Sequence, residues 1–180
     1  GTSHRFVTQR VCEVLGTQPE NQKIITCHIG NGASVSAVDH GKCIDTSMGL
    51  TPLEGLMMGT RTGDLDASVV LAIMKKEGKT PDEMQDLLNK KSGLLGISGL
   101  GSDMRDVENG VKEGNERAKL ALDMYNYRIK KYVGAYAAAM GGVDTIVFTA
   151  GVGEHQWDVR YNALKDLEFL GIEVDYDKNK

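Results

Sequence analysis

Proline is scarce in this 180-residue chain, with 3 residues, and no Pro-, Ser- or Gly-rich linker or internal repeat breaks it. One domain, 1–180, is the expectation from length. Cysteine is equally sparse: Cys12, Cys27 and Cys43 form no CxxC pair. That excludes a disulfide framework and gives zinc ligation no support, so a reduced, cytoplasmic setting is expected. No apolar run reaches the roughly 18 residues that span a bilayer. Basic runs are missing too, and the net charge is −4, so no nucleic-acid or membrane partner is expected. Lys75-Lys76, Lys90-Lys91 and Lys130-Lys131 each fall in an amphipathic helical pattern and read as solvated faces. The chain opens with Gly-Thr-Ser-His rather than Met, and is expected to begin inside a longer gene product.

What the chain does have is a globular composition, 41% hydrophobic and 26% charged. Glycine is high, at 22 against about 13 for average usage. The glycines sit in short clusters between ordered-looking segments, which points to tight turns where backbone approaches something closely.

Residues 4–15 carry apolar groups at helical spacing and stop at Gly16. Lys23 to His28 reads as a strand, Gly30-Asn31-Gly32 as a turn, 33–38 as a second strand and 43–45 as a third, a β-meander. Asp66 to Glu77 reads as a helix with Val69, Val70, Ile73 and Met74 on one stripe. Thr80-Pro81-Asp82-Glu83 opens the next helix with a capping box. Residues 115–140 form a long amphipathic helix through Tyr125, Ile129, Val133 and Tyr136. Residues 145–148 read as a buried strand ending in a glycine turn at 151–155. A helix over about 156–169 and a short strand over 172–174 follow. Strands alternating with helices make the class α/β.

Three glycine turns are candidate phosphate sites: 28–32, 99–105 and 151–155. Without a Cβ, backbone N–H groups converge on an anion. The third turn follows a strand and precedes a helix, where α/β sheets hold ligands. No GxGxxG is present, so dinucleotide binding is disfavoured. A Walker A loop is absent as well, because Ile73 stands where its first glycine belongs before Gly78-Lys79-Thr80.

Arg61 sits in a glycine-flanked loop, Gly59-Thr60-Arg61-Thr62-Gly63. Two readings stand: a surface arginine paired with Asp64 or Asp66, or a guanidinium aimed at a phosphoryl group. His28, at a strand end, is either hydrogen-bonded structure or a donor to phosphate. Asp103 is either an N-cap or an acceptor from a ribose hydroxyl, with Arg105 toward phosphate or base.

Together the segments HIGNGASVSAV (28–38), DTSMGLTPLEGLMMGTRTGDLD (45–66), SGLLGISGLGSDMRD (92–106) and VFTAGVGEH (147–155), with GTSHRFV at 1–7, resemble the acetate kinase family. The match keeps order and spacing across nearly the whole chain, and is specific to the acetate and propionate kinase group. The resemblance implies an actin-like fold of ribonuclease-H type, with a mixed sheet and flanking helices. It also implies transfer of the ATP γ-phosphoryl to a carboxylate, magnesium as cofactor and a homodimer. By motif match, His28, Ile29, Gly30, Asn31 and Gly32 would hold ATP phosphates. Asp103, Met104 and Arg105 would contact the nucleotide, and Gly151, Val152, Gly153, Glu154 and His155 would close around it. Arg61 would stabilise the transition state, an effect on the order of 10³–10⁵ in rate for such arginines. Pro52 would line the acyl pocket. No metal ligand is assigned, and the magnesium ligands of the family are expected outside these residues. Two departures stand out: His155 replaces the family's usual Asn, and Leu100-Gly101 stands where a serine is common.

A non-catalytic nucleotide-binding module is the alternative class, since fold does not fix function. A transition-state arginine has no use in a pure binder. A third reading is an assembly face on 115–140 through Tyr125, Tyr132 and Tyr136, for which core packing is the favoured explanation. The resemblance further implies that a transition-state histidine, an N-terminal domain and a magnesium-associated glutamate lie outside 1–180. The purified chain is therefore expected to form no acyl phosphate from ATP and a carboxylate in a hydroxamate assay. Clear product formation refutes that expectation.

Overall fold

The computed structural model describes all 180 residues. They divide into two compact units, Gly1–Ser47 with Asn126–Lys180, and Met48–Tyr125.

The first unit begins with α1, Thr2–Leu15, closed by Gly16 in the left-handed conformation at φ 67. Strands β1 (Lys23–Ile29), β2 (Ala33–Asp39) and β3 (Lys42–Thr46) follow as the expected meander. β1 and β2 pair antiparallel from Lys23↔Asp39 to Ile29↔Ala33, so the hairpin closes at Gly30-Asn31-Gly32. After the second unit the chain returns to β4 (Thr145–Thr149), which pairs parallel to β1 and completes a mixed sheet of order β3-β2-β1-β4.

Period-2 alternation gives this sheet two different faces. Ile25, Cys27, Ile29, Val35 and Ala37 are all fully buried on one. Each full burial of such an aliphatic side chain stabilises by about 1.5–3 kcal/mol. Burial also pushes the Cys27 thiol up to about 12, so it is an inert core residue. The other face carries Ile24 and Val38 at one end and Thr26, His28, Ser34 and Ser36 toward the hairpin turn. Cys12 of α1 buries against Ile24 and Val38, with Val11 and Val147 at the edge. Helix α1 therefore lies over the mixed polar and apolar face.

The second unit is a loop followed by helices: α2 (Ala67–Glu77), α3 (Pro81–Lys90), α4 (Gly93–Ser98), α5 (Met104–Lys112) and the first ten residues of α6 (Glu116–Met140). The capping box of α3 is present, with Thr80 and Glu83 bonding reciprocally. Its core holds Leu56, Met58, Met84, Leu94, Met104, Val107, Ala118 and Tyr125. The 115–140 helix is confirmed within a residue. Tyr125 and Tyr136 are core residues, 2% and 4% exposed, as the packing reading expects. In the first unit Tyr136 lies near Asp45, which pairs with Ala37 in the sheet.

The α2 stripe is met in part: Val70, Ile73 and Met74 are half-buried, and Val69 is 41% exposed. Two expectations are corrected. The segment after β4 is not a turn and one long helix. It is two short helices, α7 (Ala150–His155) and α8 (Trp157–Leu164): Gln156 leaves helical geometry at ψ 86 and divides them, and α8 stops where Lys165 turns extended and Asp166 adopts φ 65. Residues 172–174 form no strand, because the β4 ladder is with β1 and no other strand pairs there. The short helix α9 (Tyr176–Asn179) follows instead.

The loop carrying Arg61 is stitched to its helices by backbone bonds. Met58 and Gly59 carbonyls accept from Leu94 and Leu95, Thr60 O accepts from Ser92, and Thr62 N–H donates to Leu88 O, all within 2.9–3.1 Å. Gly93 makes this possible. It sits at φ +62, and a Cβ there would lie 2.1 Å from Met58 O and 2.8 Å from Arg61 O. Gly93→Ala is expected to destabilise by about 2–4 kcal/mol through left-handed strain plus overpacking, read as a lowered denaturation midpoint. A midpoint at the wild-type value would show that the loop does not depend on this contact.

Candidate functional site

In the first unit, the parallel register His28↔Thr149 places the ends of β1 and β4 level. The first and third glycine turns are thereby brought together: a Cβ on Gly30 would lie 3.6 Å from that of Ala150. Gly30 N–H donates to Gly32 O at 3.1 Å and closes the first turn. The third turn is compressed into one residue, Ala150, at φ 67. A non-glycine residue there stores about 1–2 kcal/mol of strain, the kind of cost that functional junctions carry. Glu154 stabilises the junction: its Oε1 accepts from Ala150 N–H and Thr149 Oγ1, both at 3.1 Å.

The residues assigned here by sequence divide by environment. Gly151 is exposed, with nothing within 4 Å of where its Cβ would be. Asn31 and His155 are exposed, and Gly30, Gly32 and Val152 half-buried. Ile29 is fully buried in the sheet core, so only its backbone can meet a ligand. Gly153 is buried beside Phe148 and Ile29, at 3.5 and 3.6 Å from its Cβ position, and serves packing.

Two neighbours were missed in the sequence. Arg160 donates Nη1 to Gly153 O (3.0 Å) and Glu154 O (2.8 Å), and Nε to Asn179 Oδ1 (2.9 Å). It caps the last carbonyls of α7, and its spacing one or two helical turns beyond the glycines was the available signal. His4 is the second. Its Nδ1 bonds Thr26 Oγ1 at 2.6 Å and its Nε2 bonds Ser34 Oγ at 2.7 Å. Beside it, Ser3 Oγ bonds His28 Nδ1 at 3.0 Å. Burial first, then the Gly1 amino group and His28, lower the His4 pKa to about 4. Its neutral form is favoured in the fold. That contribution to stability is fully present above pH 6.5 and is lost as pH falls toward 4.

In the second unit Arg61 and Pro52 come together: Arg61 Nη1 donates to Pro52 O at 3.3 Å and contacts Met58 Sδ at 3.8 Å. Neither contact is to a carboxylate. The reading of Arg61 as paired with Asp64 or Asp66 is not met. Asp64 Oδ1 accepts from Gly55 N–H, and Asp66 Oδ1 caps α2 through Ser68 N–H, each at 2.9 Å.

Asp103 is the N-cap of α5 and also chelates Arg105, with Oδ1 to Nε at 3.0 Å and Oδ2 to Nη2 at 2.6 Å. The Arg105 hydrogen bonds hold the Asp103 carboxyl down at about 2. The two candidate nucleotide contacts thus neutralise one another. Met104, between them, is 4% exposed, so its side chain belongs to the core. Leu100 is exposed, and its Cδ1 lies over Gly110. No group of three His, Cys, Asp or Glu side chains is placed to hold a metal ion.

Known proteins match this chain over its full length. The acetokinase family model matches residues 1–180. Acetate kinase of Phocaeicola vulgatus is 63% identical over 180 residues, all of this chain and 45% of its own length. Acetate kinase of Bacteroides thetaiotaomicron is 64% identical over 179 residues, 99% of this chain and 45% of that protein. The crystal structure of Porphyromonas gingivalis acetate kinase superposes with a TM-score of 0.99 at 57% identity, covering 100% of this chain and 45% of that one. A propionate kinase from Francisella tularensis gives 0.93 at 43% identity, over 99% and 46%. The chain spans a little under half the length of these relatives, and by the family match and their identity it belongs to the acetokinase family.

Proposed function

We propose that this chain is the nucleotide-binding part of an acetate kinase, transferring the γ-phosphoryl of ATP reversibly to acetate to give ADP and acetyl phosphate. The observation that carries the reading is the state of Arg61. It is a guanidinium held beside Pro52 by a carbonyl and a thioether, with its charge not cancelled by a carboxylate. Such an arginine neutralises charge on the planar, metaphosphate-like group in transit, where positioning and electrostatics supply most of the rate.

The remaining roles are those the family resemblance implies, and the geometry of each unit bears on them. Gly30 N–H is taken by Gly32 O, so the backbone N–H groups of Asn31 and Gly32 and the open backbone at Gly151 are the ones that suit phosphate oxygens. His28 donates toward the same oxygens through Nε2 when its Nδ1 is taken by Ser3. Asp103 and Arg105 face the nucleoside, and a contact from either requires their mutual bonds to open. Pro52 borders the acyl group. Magnesium would neutralise charge between the phosphates, but the residues present form no metal cluster, so its protein ligands are assigned to no position here. Propionate is the second acceptor. The curated relatives at 63% and 64% identity carry the name acetate kinase, whereas the propionate kinase stands at 43%, which favours acetate. A homodimeric cytoplasmic enzyme without nucleic-acid or membrane partners completes the reading. No helix is long and apolar enough to cross a membrane.

Calorimetric titration of the chain with Mg-ATP tests this. Gly151→Val fits the open space at that position, so it should fold as wild type yet weaken binding at least ~10-fold by covering the phosphate backbone. Arg61→Ala should bind within about 3-fold of wild type, since it acts on the transition state rather than the ground state. Undiminished binding by Gly151→Val overturns the phosphate assignment. Folded wild-type chain that binds nothing overturns the claim that these residues hold nucleotide by themselves.

A further inference from the structure

We propose that His4 is a positioning residue for the phosphate turn: its neutral imidazole ties the first turn of α1 to both strands of the hairpin and so fixes His28 and Gly30–Gly32. The inference rests on the reading of 28–32 as the phosphate turn.

The geometry is specific. Thr26 precedes His28 by two residues on β1, and Ser34 is its direct cross-strand partner on β2. Both hydroxyls are buried, Thr26 at 0% and Ser34 at 9% exposure. One imidazole joins them at 2.6 and 2.7 Å. The adjacent Ser3 takes His28 Nδ1, and Thr8 Oγ1 donates to His4 O at 2.9 Å, which holds the helical turn that carries the ring. Three side chains of the hairpin, Thr26, His28 and Ser34, are therefore gripped by two consecutive residues of one helix.

A neutral imidazole has one N–H donor and one acceptor nitrogen. One hydroxyl then accepts from the ring and the other donates to it, so both hydroxyl orientations are set together. An alkyl side chain would leave two buried hydroxyls without this partner, each carrying a desolvation cost that nothing repays. A lysine or arginine would only donate. The histidine is suited to this place by its bifunctional, uncharged state, which burial above all, and His28 beside it, favour. Fixing a first contact through a second layer of hydrogen bonds is how binding groups are held to within fractions of an ångström.

The test compares wild-type chain with His4→Leu, which keeps bulk, and His4→Gln, which keeps one donor and one acceptor. Three quantities are read: the thermal midpoint, the ring ¹⁵N shifts of His28, and the Mg-ATP Kd. In His4→Leu the His28 nitrogens should move toward a tautomer average, and Kd should rise ~10-fold or more. His4→Gln should restore most of both. Wild-type His28 shifts and Kd in a folded His4→Leu chain overturn the proposal, whatever the change in midpoint. If His4→Leu does not fold, Ser34→Ala removes one arm of the bridge and is read in the same way. If wild-type chain binds no Mg-ATP, the nucleotide reading fails, and the His28 spectrum alone decides this inference.

Discussion

The parallel pairing of β1 with β4 is the constraint on which the first unit depends. Parallel neighbours cannot be joined by a tight turn, so the chain between them must leave and come back. Here it leaves through β2, β3 and the whole second unit, and returns along α6. Its consequence is local: with His28 level with Thr149, two turns some 120 residues apart meet at the same end of the sheet. Lys23 N–H bonding Asp144 Oδ2 at 2.7 Å and Thr145 Oγ1 bonding Gln22 at 3.0 Å pin the opposite end and fix the register. A slip of one residue would send every side chain to the other face and part the two turns.

That register also explains why one face of the sheet is polar near the turn. A purely apolar face beneath α1 would pack well, as Cys12, Ile24 and Val38 do at the far end. Toward the turn, hydroxyls and imidazoles replace aliphatic groups, and each of those hydroxyls has a partner: Thr26 and Ser34 on His4, Ser36 on Thr46 at 3.0 Å. A buried polar network is costly when half satisfied and rigid when complete. Completing it next to the Gly30–Gly32 turn trades hydrophobic stabilisation for a defined geometry.

Much of this was legible in sequence. Alternation gave the meander, Gly-Asn-Gly its hairpin, Thr80 and Glu83 the cap of α3, and 3.6-residue periodicity α6. What was not legible was decided by tertiary partners. Gly-Val-Gly reads as a turn, but the turn is made by Ala150 alone, and the glycines then continue as helix. Ile172-Glu173-Val174 has strand composition and no ladder to join. The α2 stripe has the right period and is only half-buried. His4 lies in the GTSHRFV segment, but its role does not show there: a histidine in the first turn of a helix gains meaning from Thr26 and Ser34, more than twenty residues away.

The two arginines assigned by motif differ in local charge balance. Arg105 looks the better anchored, with a bidentate carboxylate from Asp103. That pair is exposed, so it is worth little in stability, yet it removes the field that an incoming phosphate would meet. Arg61 has no such partner. Its loop is held by backbone bonds and by Gly93, so its position does not depend on an ion pair to its own side chain. Rigid placement with no carboxylate to cancel the charge would suit the role proposed for Arg61, because only a 3.3 Å bond to Pro52 O and a 3.8 Å contact with Met58 Sδ compete for the guanidinium.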